Sequence, residues 1–472
     1  MALVETLELR ARFARNLSDL YGSEVPAYTT LLAVAEEVNE EVLARLGAGA
    51  ERLGSIERVT AERHGAIRVG TPRELSQVAC IFGALGMYPT GFYDLRDAAP
   101  APIPVVSTAF RPHDRNQLAR NPFRVFVSML VPEDERFFDA DLSRRLLDFL
   151  GSRTLFPDEL LSLADTAELD GGLEPDAAER FLELATAGFA LSPDPVDRGW
   201  YAELERVSSV AADIGGVGST HVNHLTPRVL DIDELYRRMA AHGIEMIDQI
   251  QGPPRWDGPD LLLRQTSFRA LAEPRLFRQS DGRIVQGDLR VRFGEVEARG
   301  VAPTPAGRWL YDRMLAEADD RSRDEPGLPR EDVLRAVWEE HLPRTDTDLA
   351  RSDLAYYSFE VRADRPDGRA PDDLVSLLDG GWVEATPIVY EDFLPRSAAG
   401  IFASNLSGQG SADAARTSTH RDRDWLSEHI GRPVVDPDEL YAQQRDESLQ
   451  ATAAALGLDH ITLPAGGAGA TE

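Results

Sequence analysis

Two histidines stand at matching places in two short, similar stretches of this chain. Arg63–Glu74 reads RHGAIRVGTPRE and Thr220–Asp233 reads THVNHLTPRVLDID. In each, a histidine (His64, His224) is followed four residues later by an arginine (Arg68, Arg228), and an amphipathic helix follows. Side chains alternate along a strand, so His64, Ala66 and Arg68 share a face, as do His224, Thr226 and Arg228. In FGEVEARG, Phe293, Glu295, Glu297 and Arg299 share a face in the same way. Two histidines from equivalent first strands and one glutamate from a closing strand form a two-histidine, one-carboxylate set. Such a set leaves positions on Fe(II) open for an acid substrate and O2. Strand parity does not separate Glu295 from Glu297. His221 precedes its strand and has no counterpart in the first stretch, so it is read as support. His113, His242, His341, His420, His429 and His460 fall in helices or loops without an echo and are read as surface or packing residues.

The elements that must position these residues follow from the pattern around them. HGAIRV (64–69) reads as a strand, and Thr71-Pro72 opens a helix running to about Met87, with a capping residue and proline at the first turn. GFYDL, PIPVVSTAF and FRVFVSMLV follow as strands. The same β-α-β-β-β order returns at Thr220. HLTPRV is a strand, and Asp231 or Asp233 caps a helix ending on Gly243. EMIDQIQ and DLLLRQTSF are strands, and RIVQGDLRVRFGEVEARG turns at Gly287 and ends as a strand over Arg290–Arg299. The expected organisation is a helical cap (1–55), a first module (56–131), a helical insertion (132–219), a second module (220–300), a helical segment with closing strands (301–406) and a polar C-terminal tail (407–472). GGVGS (215–219) reads as a flexible joint between insertion and second module. The fold class is α+β, with two β-α-β-β-β modules around a metal cavity.

Composition narrows the chemistry. The chain has 472 residues and a formal net charge of −30, which disfavours a nucleic-acid partner. It contains no lysine, so Schiff-base chemistry and lysine-bearing phosphate loops are excluded. Anions must be met by arginine, backbone amides or a metal. Cys80 is the single cysteine, which excludes internal disulfides and cysteine-ligated clusters. No apolar run reaches the length of a membrane span, and the N-terminus lacks a signal-peptide core, so a cytoplasmic protein is expected, with no membrane or protein partner indicated.

RHGAIRVGT, NHLTPRVLDID, LLLRQTSF, FGEVEARG and YEDFLPRSAAGIF, taken in order, resemble the bacterial 2-oxoadipate dioxygenase/decarboxylase family, relatives of the vicinal oxygen chelate enzymes. The likeness runs from about residue 5 to residue 408. It implies an Fe(II) cofactor and the conversion of 2-oxoadipate and O2 to 2-hydroxyglutarate and CO2, a step of lysine catabolism. Carried over motif by motif, it puts the ligands on His64, His224 and Glu295, and the substrate-carboxylate arginine on Arg68. FGEVEAR is also similar to the metal-binding strand of hydroxyphenylpyruvate dioxygenase, which favours Glu295 over Glu297. Ser397 matches the family's substrate-binding stretch, whereas Arg396 stands where the family has a small apolar residue. Arg396 is either a solvent-facing arginine or a second cation for the substrate. The competing functions are another metal-dependent reaction of the same superfamily on a related 2-oxo acid, and a non-catalytic small-acid binding protein.

Overall fold

The computed structural model describes residues 2–98, 102–290, 292–394, 412, 416 and 418–464. Its strands are β1 (Val4–Glu5), β2 (Arg63–Val69), β3 (Tyr88–Asp94), β4 (Val105–Arg111), β5 (Arg124–Leu130), β6 (Gly172–Leu173), β7 (Val196–Asp197), β8 (Val222–Pro227), β9 (Leu263–Ser267), β10 (Glu273–Arg278), β11 (Ile284–Leu289), β12 (Glu295–Arg299), β13 (Tyr357–Val361) and β14 (Val383–Pro387). The first helices are α1 (Thr6–Glu24), α2 (Pro26–Leu46), α3 (Ile56–Ala61), α4 (Pro72–Ala84), α5 (Arg115–Arg120), α6 (Ala140–Ser152), α7 (Asp158–Asp170), α8 (Pro175–Gly188), α9 (Arg198–Glu205), α10 (Ser209–Gly215) and α11 (Ile232–Ala241).

The architecture is mixed α/β with several sheets. The largest has five strands in the order β3-β4-β5-β2-β8. β2 runs parallel to β5 and antiparallel to β8. Pairing continues past the end of β8. The Val229 amide donates to the Glu297 carbonyl at 2.8 Å, Arg228 bridges Glu297 in parallel, and β12 pairs antiparallel with β9. β4 and β5 are buried along their whole length. This matches the near-continuous apolar runs from which they are built, since both faces of such strands are covered. α4 buries Leu75, Val78, Ala79 and Phe82 in the same core as Val125 and Val127 of β5.

Local chemistry sets the boundaries. The Thr71 hydroxyl accepts from the Glu74 amide at 3.2 Å and Pro72 occupies the first turn of α4. That helix stops three residues before Met87, because Gly86 turns left-handed (φ 65°) and the Met87 amide folds back to the Phe82 carbonyl at 2.9 Å. Asp231, and not Asp233, caps α11, accepting from the Glu234 amide at 3.1 Å. Asp233 instead pairs with Arg264 at 2.6 Å.

Several expectations are corrected. EMIDQIQ is not a strand: it runs beside β9 and Phe268 through the isolated bridges Met246–Phe268 and Gln251–Gln265 and the Ile247 amide on the Ser267 carbonyl at 2.9 Å. Its fully buried residues, Met246 and Ile247, are adjacent and do not alternate. Gly287 lies inside β11 opposite Arg275, where an added Cβ would come within 2.9 Å of the Phe277 ring. The turn falls earlier, at Gln279–Arg283, with Gly282 left-handed (φ 85°), and the final strand begins only at Glu295. β10, charged and half-exposed, pairs with β11 and was not foreseen. Within GGVGS, Gly215, Gly216 and Val217 are buried and packed, and only Gly218 stands exposed with open space around it. Gly215 ends α10, and a Cβ on Gly216 would sit 2.5 Å from the Ala212 carbonyl. Among the described residues the tail holds two further helices, Arg423–Ile430 and Pro437–Leu456, the second 20 residues long. No described helix is long and apolar enough to cross a membrane.

The N-terminal helices bear directly on the centre of the molecule. The Tyr21 hydroxyl of α1 donates to the Asn223 carbonyl (3.0 Å) and the Phe293 carbonyl (2.7 Å), fastening β8 to the approach to β12. Tyr21→Phe therefore takes the hydroxyl from the buried Phe293 carbonyl and leaves the Asn223 carbonyl only the Phe293 amide at 3.3 Å, and it should lower stability by about 1–3 kcal/mol, read as a shift of the urea midpoint with no change in slope. An unshifted midpoint refutes this role.

Candidate metal centre

β2 carries His64, β8 carries His224 and β12 carries Glu295. In the β2–β8 register, His64 lies opposite Thr226 and His224 opposite Ala66, so the two imidazoles are diagonal neighbours. Their ring centroids are 5.7 Å apart and nearly perpendicular. Because β12 runs beside the end of β8, Glu295 reaches both rings. Its Oε2 is 3.4 Å from His64 Nε2 and 3.6 Å from His224 Nε2. All three residues are buried, and one donor atom from each lies within 4.8 Å of the others.

These residues fit a metal ion. Buried polar atoms normally have a hydrogen-bond partner, yet neither ring nitrogen of His64 has one among the described residues. Two imidazole nitrogens and a carboxylate oxygen at this spacing can contract onto one divalent ion, since metal–ligand bonds are about 2.0–2.2 Å. The electrostatics agree. Burial pushes the His224 imidazole down to about 4, so it is neutral and its lone pair available near neutral pH. Burial alone would also lower His64, but Glu297 and Glu295 outweigh it and hold His64 above the ordinary histidine value. A position that favours a proton this way favours a cation generally.

Glu297 has a different place from Glu295. Its Oε2 is 3.1 Å from His64 Nδ1, and its Oε1 accepts from Arg124 (3.0 Å) and from Arg299 Nε (2.6 Å). Burial would raise the Glu297 carboxyl, but Arg299, His64 and Arg124 hold it far below the usual carboxylate range. Ionised Glu297 stands beside His64 Nδ1 and favours positive charge there, while Nε2 faces Glu295. Arg124 also contacts Glu62 and Glu391, and Glu62 accepts from Arg228 at 3.0 Å. Beyond Glu391, Asp392 takes a two-point bond from Arg111 (2.9 and 3.1 Å), and Phe393 sets its ring edge-on to His64 at 4.9 Å.

The remaining candidates separate clearly. Arg68 is buried on the His64 face and donates to Asp213 at 2.5 Å. Arg228, its counterpart in the echo, joins the Glu62 network and the Leu53 carbonyl (3.1 Å). His221 lies 3.4 Å from Asp213 and 3.1 Å from Asn223, away from Glu295. Arg396 and Ser397 lie outside the described residues. His113 meets Thr90 at 2.9 Å, His341 meets Glu317 at 3.0 Å, and His429 stacks on Trp425. Sequence reasoning missed Asp213, Arg124, Glu62 and Glu391. Only Arg124 carried a signal, as a lone charge entering an apolar strand.

Comparison with known proteins agrees with this arrangement. The profile of the 2-oxoadipate dioxygenase/decarboxylase family matches residues 13–405. The 2-oxoadipate dioxygenase/decarboxylase of Mycobacterium tuberculosis (strain ATCC 25618 / H37Rv) is 56% identical over 438 residues, covering 93% of this chain and 96% of that protein. The Pseudomonas putida protein of the same name is 40% identical over 463 residues, covering 95% and 97%. The crystal structure of the Pseudomonas putida hydroxyglutarate synthase in complex with 2-oxoadipate superposes with a TM-score of 0.82 at 38% identity, covering 97% of this chain and all of that one. With buried donors converging from β2, β8 and β12 and a match over most of its length, the chain belongs to the 2-oxoadipate dioxygenase/decarboxylase family.

Proposed function

We propose that this chain converts 2-oxoadipate and O2 to 2-hydroxyglutarate and CO2, using Fe(II) held by His64, His224 and Glu295. The reading is carried by the convergence of these three buried donors in a member of this family. The strand order supports treating 56–131 and 220–300 as two vicinal-oxygen-chelate-like modules joined along β2 and β8. The residues before, between and after them then serve as the cap, the helical insertion, the closing segment and the C-terminal region.

The reaction balances without an external reductant. The six-carbon acid loses its first carboxyl as CO2, the former ketone carbon takes one oxygen and becomes the new carboxyl, and the carbon beside it gains the other as a hydroxyl, so both atoms of O2 are retained. Bound Fe(II) would supply Lewis acidity toward the 2-oxo acid and the means of activating O2. The protein's own contribution is positional. His224, neutral by burial, and His64, fixed as the Nδ1–H tautomer by Glu297, offer Nε2 lone pairs to the same point. Arg68 lies four residues along the same strand face, about 13 Å between Cα atoms at 3.3 Å per residue. That span suits an acid held at the metal by one end and at a guanidinium by the other. A guanidinium takes a carboxylate through two parallel hydrogen bonds, which selects a diacid. The burial of all three donors keeps bulk water from the reacting carbon. No protein base is required.

Three outcomes follow. His64→Ala, His224→Ala and Glu295→Ala should each reduce retained iron and O2 uptake with 2-oxoadipate to background, and exhaustive chelation should do the same to the native enzyme; full activity in any one variant would falsify that ligand. Arg68→Lys should keep iron while raising KM for 2-oxoadipate about tenfold or more, because an ammonium cannot form the two-point bond; an unchanged KM removes Arg68 from the substrate site. Glu297→Gln, which retains shape but not charge, should weaken metal binding by roughly 10–100-fold in calorimetric titration of the apoprotein. Native affinity in that variant counts against the tautomer role.

A further inference from the structure

We propose that Asp213, delivered by α10 from the helical insertion, is a positioning residue that aims the Arg68 guanidinium at the distal carboxylate and so sets the preference for a 2-oxo diacid over a 2-oxo monoacid. This rests on the reading of Arg68 given above.

The contact is close and dry. Arg68 Nη1 donates to Asp213 Oδ2 at 2.5 Å, with side-chain exposures of 3% and 2%. Asp213 is itself held. Asn223 Nδ2 donates to the same oxygen at 2.9 Å, and His221 Nε2 stands 3.4 Å from the other. Asn223 is there because of a bulge. Ala66 pairs with His224 but Ile67 pairs with Val222, so Asn223 is the extra residue and its side chain is redirected. His221, pushed down to about 4 by burial, is neutral and leaves Arg68 as the cation that Asp213 serves.

The mount behind Asp213 is equally fixed. Arg153 forks onto Glu74 at 2.6 and 2.8 Å, and its Nη1 donates to the carbonyls of Ile214 (2.6 Å) and Val217 (2.8 Å). Glu74 in turn accepts from the Gly70 amide at 2.6 Å. The Thr220 hydroxyl donates to the Arg68 carbonyl at 2.7 Å. Arg68 is thus constrained at its backbone by β8's approach and at its guanidinium by α10. A buried arginine needs a counterion in any case. Neutralisation alone, however, does not require the counterion to be held by two neighbours on a helix locked to the end of the same strand.

The two roles predict different kinetics. In holoenzyme, kcat/KM is measured for 2-oxoadipate and for 2-oxohexanoate, which has the same carbon chain without the distal carboxylate. Binding of each acid is also titrated anaerobically by calorimetry. Asp213→Asn should lower the diacid-to-monoacid ratio by about 10–100-fold, chiefly through KM and the anaerobic Kd of 2-oxoadipate, with 2-oxohexanoate within about threefold of wild type. Asp213→Glu, which keeps the charge, should recover part of the ratio. In an Arg68→Ala background Asp213→Asn should change the ratio no further. Equal losses on both acids, or an unchanged ratio, overturn the proposal and leave Asp213 as a counterion only. If Arg68→Ala itself leaves the ratio intact, the reading of Arg68 fails and this proposal with it. If Arg68→Ala collapses the ratio and a folded Asp213→Asn does not, the proposal fails alone.

Discussion

Glu297 is buried between His64 on one side and Arg124 and Arg299 on the other, and much of the molecule is arranged to make that tolerable. An ionised carboxylate removed from water costs several kcal/mol unless it is paired and fully hydrogen-bonded. Arg124 pairs it, but Arg124 is then a buried cation, and Glu62 and Glu391 answer it. Glu62 takes Arg228, Glu391 takes Arg58, and Arg299 reaches the carbonyls of Tyr390 and Asp392. A hydrophobic core would have been at least as stable. What the network adds is an ionised carboxylate held 3.1 Å from His64 Nδ1, which on the proposed reading leaves the Nε2 lone pair for the point where His224 and Glu295 meet.

The charge of this region is close to balanced before any ion binds. Arg58, Arg124, Arg228 and Arg299 are matched in number by Glu62, Glu297 and Glu391 among them and by Glu295 beside the two histidines, while Arg68 with Asp213 and Arg111 with Asp392 form neutral pairs. A divalent ion between neutral imidazoles leaves two positive charges, and a doubly ionised 2-oxo diacid cancels them. In a chain carrying −30 overall, the attraction that draws a dianion inward must be local, and on the proposed reading the bound metal would supply it. The absence of lysine fits the same logic. Arg124 and Arg299 each serve several acceptors lying in different directions, which a planar fork of donors does and a single ammonium does poorly.

The histidine pair was legible because strand parity and a repeated motif are both properties of sequence. Glu295 and Glu297 were not separable in that way. They share a face, and what distinguishes them is position along β12, about 6.6 Å of strand, set by how β12 lies against β8. That relation joins residues about 70 positions apart through two backbone hydrogen bonds, Val229 to Glu297 and Phe293 to Asn223, and a bridge. Asp213 was hidden for another reason. It sits on a seven-residue helix next to a glycine-rich stretch that suggests freedom, although Gly215 packs closely against Leu146 and Gly216 against Ala212 and Tyr201. β10 was hidden by its charge, since an exposed hairpin strand carries little apolar pattern.

The echo misleads in one respect, and the reason bears on how such a site arises. Arg68 and Arg228 stand at the same offset from their histidines and at the same strand parity, yet Arg68 meets Asp213 and Arg228 meets Glu62. The strands are antiparallel neighbours, so equal offsets carry the two arginines to opposite ends of the histidine pair. At one end lies β12 with the buried carboxylates that fix His64. At the other lies α10, an element from outside both repeats. Repetition can supply a symmetric pair of imidazoles, but an acid anchored through one end needs an anchor on one side only. The asymmetry comes from what packs at each end of the strands, and for that the helical segment between the two repeats is as necessary as the repeats themselves.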